Sequence, residues 1–440
     1  MPGVPRNHGT SRAGTLAGLL RRPLRTLVRV RTLLFVVLAA QLSLAACAIP
    51  ERLLAVPKAL TTQAKITQAR VVDATNIRFW VNQDPEPLAQ EGLEALRKER
   101  EFLARSGRTG PLPPANFLAI SGGGDDGSFS AGLLNGWTAA GDRPEFKVVT
   151  GVSTGALIAP LAFLGPDYDP ELKRAHTTIS KKDIYEERGF LSALFDDGLA
   201  DSRPLLKLVS SYVTPQVLTR IGEEYGKGRL LLVGTTDLDA RQPVIWNMTA
   251  IAASGDPGAL DLFRKILVAS ASVPGLFPPV MLEVEVGGHQ YQEMHVDGGA
   301  MAQVFLYPSY FVLGDMASEF DAQRQRNLYV IRNARLDPDW TSVDRRTLKI
   351  VGRAVSSLIN SQGLGDLYRI YLTCQRDGID YNVAYIGSNF DAPHPDEFDT
   401  AYMQQLFDYG YTLARHGYPW EKYPPGYVPP RNTPALKAAR

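Results

Sequence analysis

The most regular pattern along this chain is a short, wholly apolar run followed at once by glycine or other small residues and then by a helical stretch. Asn116 to Ser121 (Asn-Phe-Leu-Ala-Ile-Ser) reads as a buried strand that runs straight into glycines, and Phe129 to Trp137 reads as the helix behind it. Lys147 to Thr150 is a second short strand, and Ala156 to Leu164 is an apolar helical stretch. Arg229 to Gly234 is a further strand of the buried type. Strands that are apolar on both faces and alternate with helices predict a mostly parallel sheet covered on each side, an α/β protein of three-layer α/β/α type. The pattern returns late in the chain. Asn327 to Arg332 reads as strand, Leu348 to Cys374 as a long helix with Gly363 as its candidate break, Asp380 to Ile386 as strand and Thr400 to His416 as helix.

The flanks read differently. Residues 47–115 look like an N-terminal extension and linker, with a charge-rich helical stretch from Glu91 to Arg105 and a Gly/Pro linker from Ser106 to Pro114. Residues 116–310 form the expected core, and 311–417 are expected to complete the same sheet. The tail, 418–440, carries Pro419, Pro424, Pro425, Pro429 and Pro430 and reads as extended surface chain.

Residues 1–46 stand apart in charge. They hold Arg6, Arg12, Arg21, Arg22, Arg25, Arg29 and Arg31, with no Lys, Asp or Glu. A mostly apolar run follows from Thr32 to Leu44, interrupted by Gln41 and Ser43. A bilayer span needs about 20 apolar residues, so the run suits a signal peptide better than a membrane helix. It leads into Leu44-Ala45-Ala46-Cys47, which resembles the bacterial lipoprotein signal; that resemblance implies lipidation of Cys47 and anchoring in the cell envelope, at the periplasmic face of the outer membrane. An ordinary signal peptide with an incidental cysteine is the other reading. Arg21-Arg22 only loosely resembles a twin-arginine signal, because Pro23 follows. The long basic stretch also allows a start downstream of Met1.

Composition is that of a globular protein, 45% hydrophobic and 21% charged over 440 residues. The net charge of +1 comes from the leader: without its seven arginines, 40 Lys and Arg face 46 Asp and Glu. A mildly acidic body argues against a nucleic-acid partner. Cys47 and Cys374 are the two cysteines. With lipid on Cys47 there is no disulfide framework, and Cys374 reads as a buried core thiol. No His or Cys cluster has metal-ligand spacing, and no cofactor is implied.

The chemistry gathers at three glycine-rich points. Gly151-Val152-Ser153-Thr154-Gly155 lies between a strand and a helix. A sharp strand-to-helix turn exposes its serine only if the residues two before and two after lack side chains, and the helix N-terminus favours developing negative charge there. Gly122-Gly123-Gly124 follows the first core strand and offers bare N–H groups as an oxyanion hole. Gly122-x-Gly124-x-x-Gly127 also fits the dinucleotide fingerprint, but Asp125 and Asp126 would repel a pyrophosphate. Asp297-Gly298-Gly299 is either a simple turn or a carboxylate aimed into a cleft. The histidines beyond the leader are His176, His289, His295, His394 and His416. His394 or His416 could complete a Ser–His–Asp set in the usual order. His295 would share a strand face with Asp297 and reads as a structural neighbour.

Taken in order, the glycine loop, Gly-x-Ser-x-Gly and Asp-Gly-Gly resemble the patatin-like phospholipase family. Thr235-Thr236-Asp237-Leu238-Asp239 with Gln242-Pro243-Val244, and the block from Ala269 to Pro279 (Ala-Ser-Ala-Ser-Val-Pro-Gly-Leu-Phe-Pro-Pro), are similar to family segments before the aspartate. The resemblance covers residues 116–310. It implies a Ser–Asp dyad without a catalytic histidine: Ser153 as nucleophile, Asp297 as base, and the N–H groups of Gly122, Gly123 and Gly124 as the oxyanion hole. It also implies a lipid acyl-ester substrate, met at a membrane surface through the lipid anchor. Two positions depart from the family. Asp126 stands where Arg or Lys is usual, and Ser121 where Asp is frequent. A lipid-binding protein without activity is the reading from another class. Phe190, Leu191, Leu194 and Phe195 read as a buried helix or an interfacial lid.

Overall fold

The computed structural model describes residues 52–67, 76–80, 82–108, 110–187, 197–308, 311–313, 324–337 and 342–429. Cys47 with its leader, the four residues of the candidate lid and the end of the tail lie outside them.

Five parallel strands make the centre of one mixed sheet: β3 (Ala115–Ile120), β4 (Val148–Gly151), β7 (Leu230–Asp237), β11 (Arg326–Arg335) and β12 (Asp380–Ile386), in the order β7-β4-β3-β11-β12. All eight residues of β7 are buried, as expected for a strand covered on both faces. Alternation then sorts the core into layers. Leu118 and Ile120 pack on one side with α2 (Gly127–Ala140), α3 (Thr154–Leu164) and α9 (Thr400–Arg415). Phe117 and Ala119 pack on the other side with α8 (Thr347–Asp377) through Leu367, Ile370, Tyr371 and Cys374. Beside α8 on that face, α1 (Glu86–Arg105) covers Leu230 and Leu232 with Leu88 and Ala95. The result is the expected α/β/α arrangement with a mostly parallel sheet, and Cys374 is a buried free thiol.

The rest of the sheet is antiparallel. β8 (Gln242–Asn247), β9 (Val280–Val286) and β10 (His289–Asp297) extend it beyond β7. Val286 pairs with His289 across Gly287 and Gly288, both at positive φ, a two-residue hairpin turn that only glycine enters freely. The segment before the core is built into the same sheet: β1 (Lys65–Ile66) pairs with β9, and β2 (Arg78–Phe79) pairs with β8. A separate ribbon joins β5 (Glu186–Glu187) to β6 (Ala200–Asp201).

α8 does not break at Gly363; it runs as one helix of 31 residues. A Cβ at Gly363 would fall 2.6 Å from Arg332 Nη2, so this glycine makes room for a buried guanidinium rather than ending a helix.

The fold holds the glycine loop by docking the helix that follows it. α2 lies against α9 so closely that a Cβ at Gly132 would strike the Phe407 carbonyl and one at Gly136 the Tyr411 carbonyl. Gly410 of α9 meets the Phe129 carbonyl at 2.6 Å in the same way. Backbone cannot yield as a side-chain tip can, so Gly132→Val is expected to cost about 3 kcal/mol, as for severe overpacking, read as a lower urea midpoint at unchanged slope.

Candidate active site

One edge of β7 changes partner halfway along. Val233 pairs with Gly151 of β4, while Thr235 pairs with Asp297 of β10. The opposite edge is taken throughout by β8, with Val233 on Trp246 and Thr235 on Val244. The ends of β4 and β10 therefore meet over Gly234. The junction has no spare volume. A Cβ at Gly298 would lie 2.5 Å from the Gly234 carbonyl oxygen, and one at Gly234 would lie 3.1 Å from the Phe305 ring.

Ser153 leaves this junction at φ 55°, ψ −127°, a conformation that costs a non-glycine residue about 1–3 kcal/mol. Its neighbours show why glycine is required on each side. A Cβ at Gly151 would strike the Gly155 backbone, and one at Gly155 would sit 2.7 Å from the Ser121 carbonyl oxygen. The strained turn is pinned by Ser270: the Ser153 N–H donates to Ser270 Oγ at 3.0 Å, and Ser270 Oγ donates to the Gly234 carbonyl at 2.7 Å. α3 starts at Thr154, so the serine stands at a helix N-terminus.

Asp297 is buried. Its Oδ1 accepts from the Gly299 N–H at 2.7 Å, and the Ser153 side chain lies close enough to favour the ionised carboxylate. Loss of water outweighs both contacts and pushes the carboxyl up to about 6.

The glycine loop differs from expectation at its first residue. The Gly122 N–H donates to the Gln303 carbonyl at 3.1 Å and is not free to serve an oxyanion. Gly123 and Gly124 remain, and no acceptor among the described residues takes either N–H. The Gly122 carbonyl accepts from Ser121 Oγ at 2.6 Å and from Arg332 Nη1 at 3.2 Å. In a trans peptide the carbonyl and the following N–H point opposite ways, so anchoring this oxygen turns the Gly123 N–H away from Arg332. Asn333 completes the floor: its N–H donates to Ser121 Oγ, its Nδ2 to the Ser121 carbonyl, and its Oδ1 accepts from Ser130. Gln303 ties the loops together, because its Nε2 donates to the Gly299 carbonyl and its own N–H to Asp366.

Neither aspartate of the loop bonds to the serine turn. Asp125 accepts from His394 Nε2 at 2.8 Å and from the Phe398 N–H at 2.7 Å. Asp126 accepts from the Tyr402 hydroxyl at 2.6 Å, and burial pushes its carboxyl up to about 7. The cation near the loop is Arg332, from another strand.

No histidine among the described residues hydrogen-bonds to Ser153 or Asp297. His394 is engaged by Asp125, His416 by the Thr412 carbonyl and His176 by the Leu172 carbonyl. His295 is fully buried between Thr235 and Glu293. With Asp237 and Glu293 it forms a donor set that suits a transition metal. Arg78 fills that neighbourhood with its own charge, 2.5 Å from Glu293 and stacked near Trp80 and Trp246, so the group fits an internal ion network better than a cation site.

A small apolar pocket opens beside the site, bounded by Gly124 and Thr154 and lined by Leu157, Ile179, Ile184 and Met403. A larger pocket lies towards the opposite end of the strands, between α1 and the sheet, and includes none of the site residues.

Sequence reading brought out Ser153, Asp297 and the glycine loop but passed over Ser270, Gln303, Arg332 and Asn333. Ser270 lies in the Ala269–Pro279 block, and Arg332-Asn333 are polar residues at the C-terminal end of an apolar parallel strand. Ligand sites form at such ends, which was the available signal.

Residues 118–308 match the patatin-like phospholipase family. The chain therefore carries a patatin-like phospholipase domain over that stretch. Among solved structures it is similar to VipD from Legionella pneumophila, at 12% identity over 70% of this chain and 67% of that one, with a TM-score of 0.37. It is also similar to human GIVD cytosolic phospholipase A2, at 12% identity over 61% of this chain and half of that one, with a TM-score of 0.27. No curated protein matches it.

Ser270→Ala leaves the Ser153 N–H and the Gly234 carbonyl buried without each other's bridge. It should cost about 2–4 kcal/mol in urea unfolding. Ser272→Ala, which removes only a bond from just past the helix end to the Val268 carbonyl, should cost about 1 kcal/mol. Equal losses would show that Ser270 is an ordinary core serine.

Proposed function

We propose that the chain is a serine acyl hydrolase that cleaves lipid acyl esters through an acyl-enzyme on Ser153, with Asp297 as the only general base. The observation that carries this reading is the strained Ser153 at a helix N-terminus, its side chain close enough to the buried Asp297 to favour the carboxylate, beside an apolar pocket. Asp297 takes the Ser153 proton as Oγ attacks the ester carbonyl. The Gly123 and Gly124 N–H groups stabilise the tetrahedral oxyanion. Asp297 then protonates the leaving alcohol as the acyl–oxygen bond breaks. A water gives its proton to Asp297, attacks the acyl-enzyme and releases the fatty acid, and the proton returns to Ser153 Oγ. The pocket's apolar lining matches the chemistry of an acyl chain. The Leu44–Cys47 motif supports a lipid anchor in the cell envelope as part of the same proposal.

A carboxyl near 6 suits this task, because it is ionised at neutral pH yet basic enough to accept a proton. kcat/KM should rise through about pH 6 to a plateau. The same shift carries a stability cost of known sign. Folding raises this pKa, so the folded state holds the proton more tightly; the associated stability is present below the unfolded-state value and is lost as pH rises through about 6. Asp297→Asn should therefore lower kcat by about 10⁴-fold, like loss of a triad member, while raising stability at pH 8 by about 1–3 kcal/mol and not at pH 4. Ser153→Ala should abolish both ester hydrolysis and labelling by a fluorophosphonate. Full turnover in the Asn variant would remove Asp297 from the mechanism, and folded protein that never labels would favour a lipid-binding role.

A further inference from the structure

We infer that the first half of α8 is a membrane-docking helix that seats the active-site end of the sheet on an anionic lipid surface. β11 is followed by α8 and then by β12, which lies parallel to β11, so α8 runs antiparallel to both and begins at the strand ends where Ser153 stands. A helix of 31 residues is about 46 Å long, whereas the seven residues of β12 span about 23 Å. The excess projects at the site end. Packing against the sheet starts at Gly363 and Asp366, which meet Arg332 and Gln303 of the site's own network. Among the described side chains from 349 to 362, none is buried.

The projecting half has its own amphipathic pattern. Ile350, Val351, Ala354, Val355, Leu358 and Ile359 share one face, and Lys349, Arg353, Ser356 and Asn360 share the other. Ile350 and Val351 are each 51% exposed and Leu358 is 69% exposed. On an ideal helix this apolar face is turned roughly 160° from the one formed by Leu367, Ile370, Tyr371 and Cys374. The stripe is thus no continuation of the core seam, and nothing described in the fold covers it.

Charge selects the partner. Arg345, Arg346, Lys349 and Arg353 fall in a stretch, 345–365, that holds no Asp or Glu, on a body that is otherwise mildly acidic. An apolar face backed by Arg and Lys is the pattern of a helix lying in the headgroup region of an anionic bilayer, where each cation adds to the attraction. Docked so, the helix would bring the cavity beside Gly124 and Thr154 to the lipid. The inference takes its purpose from the hydrolase reading, but vesicle binding decides it independently of turnover.

The test uses the full chain carrying Cys47→Ala, so that no lipid anchor contributes. Co-sedimentation is measured with phosphatidylcholine vesicles, with and without about one-third phosphatidylglycerol. Val355→Glu/Leu358→Glu and Arg346→Gln/Lys349→Gln should each weaken binding to the mixed vesicles by about tenfold. The charge pair should leave binding to pure phosphatidylcholine unchanged. Turnover of a soluble short-chain ester should be retained in both, while hydrolysis of vesicle phospholipid falls by a similar factor. Vesicle binding equal to the parent in both variants overturns the inference. So does a parent that ignores vesicles but is a dimer that the Val355/Leu358 pair dissociates. If binding responds as expected in a chain that hydrolyses no ester, the docking helix stands and the hydrolase reading fails alone.

Discussion

The exchange of partners along one edge of β7 is the constraint from which the rest of the site follows. A strand edge can bond only one neighbour at a time, so β4 must end before β10 begins. Gly234 marks the gap. Into it come the two chain ends that carry Ser153 and Asp297, from segments far apart in sequence and opposite in direction. Val152, Phe305 and the Gly298 backbone fill the space around Gly234 to contact distance. Ser270 locks the arrangement by joining the serine's own N–H to the Gly234 carbonyl. The geometry of the pair is thus a consequence of sheet register, which is fixed by the whole core, and not of the local turn alone.

The charges around the glycine loop follow a similar division of labour. Asp126 stands where a basic residue is expected, yet the loop does not lack a cation. Arg332 supplies it from the end of β11, buried beneath the loop and donating to the Gly122 carbonyl. Burial lowers the guanidinium to about 10, still far above neutral pH, so it stays charged. Asp126 is turned to other work, accepting the Tyr402 hydroxyl of α9, while Asp125 receives His394 and the Phe398 N–H. Acids beside the glycines therefore fasten the loop to the C-terminal helix, and the base of the loop is fastened by Arg332 and Asn333. Gly123 and Gly124 are held from both sides with their N–H groups unspent.

How much of this was legible in the sequence depended on how local each cause is. The parallel strands were legible because the stretch of a strand covered on both faces reads as an unbroken apolar run, as Leu230 to Val233 of β7 does. The serine turn was legible because glycine at positions 151 and 155 answers a steric demand within five residues. The antiparallel limb was less so: β9 and β10 alternate polar and apolar residues around charged positions such as Glu283, Glu285 and Glu293, and only Gly287-Gly288 announces the hairpin. Gly363 misled because a glycine in a helix signals a break to sequence reasoning, whereas its cause is a guanidinium from a strand 31 residues earlier. The loss of the Gly122 N–H to Gln303 was beyond reach for the same reason, since that acceptor is set by a contact across the site.

The strained serine and the buried carboxylate are both unfavourable when considered singly, and each is tolerable only because the fold over-determines it. Ser153 cannot relax its φ without losing Ser270 and driving the Gly151 and Gly155 backbones into their neighbours. Asp297 cannot reach water without unpairing Gly299 and shifting a strand end that is bonded to Thr235 and also donates its N–H to the Ser272 carbonyl. The price of holding them is met by elements that touch neither residue. The glycine contacts of α2 with α9 fix the helix behind the loop, and α8 fixes Gln303 through Asp366. In the proposed mechanism the base comes from a strand end that the sheet already holds beside the serine turn, so its position is set by the register of β10 on β7 and needs no further element to deliver it.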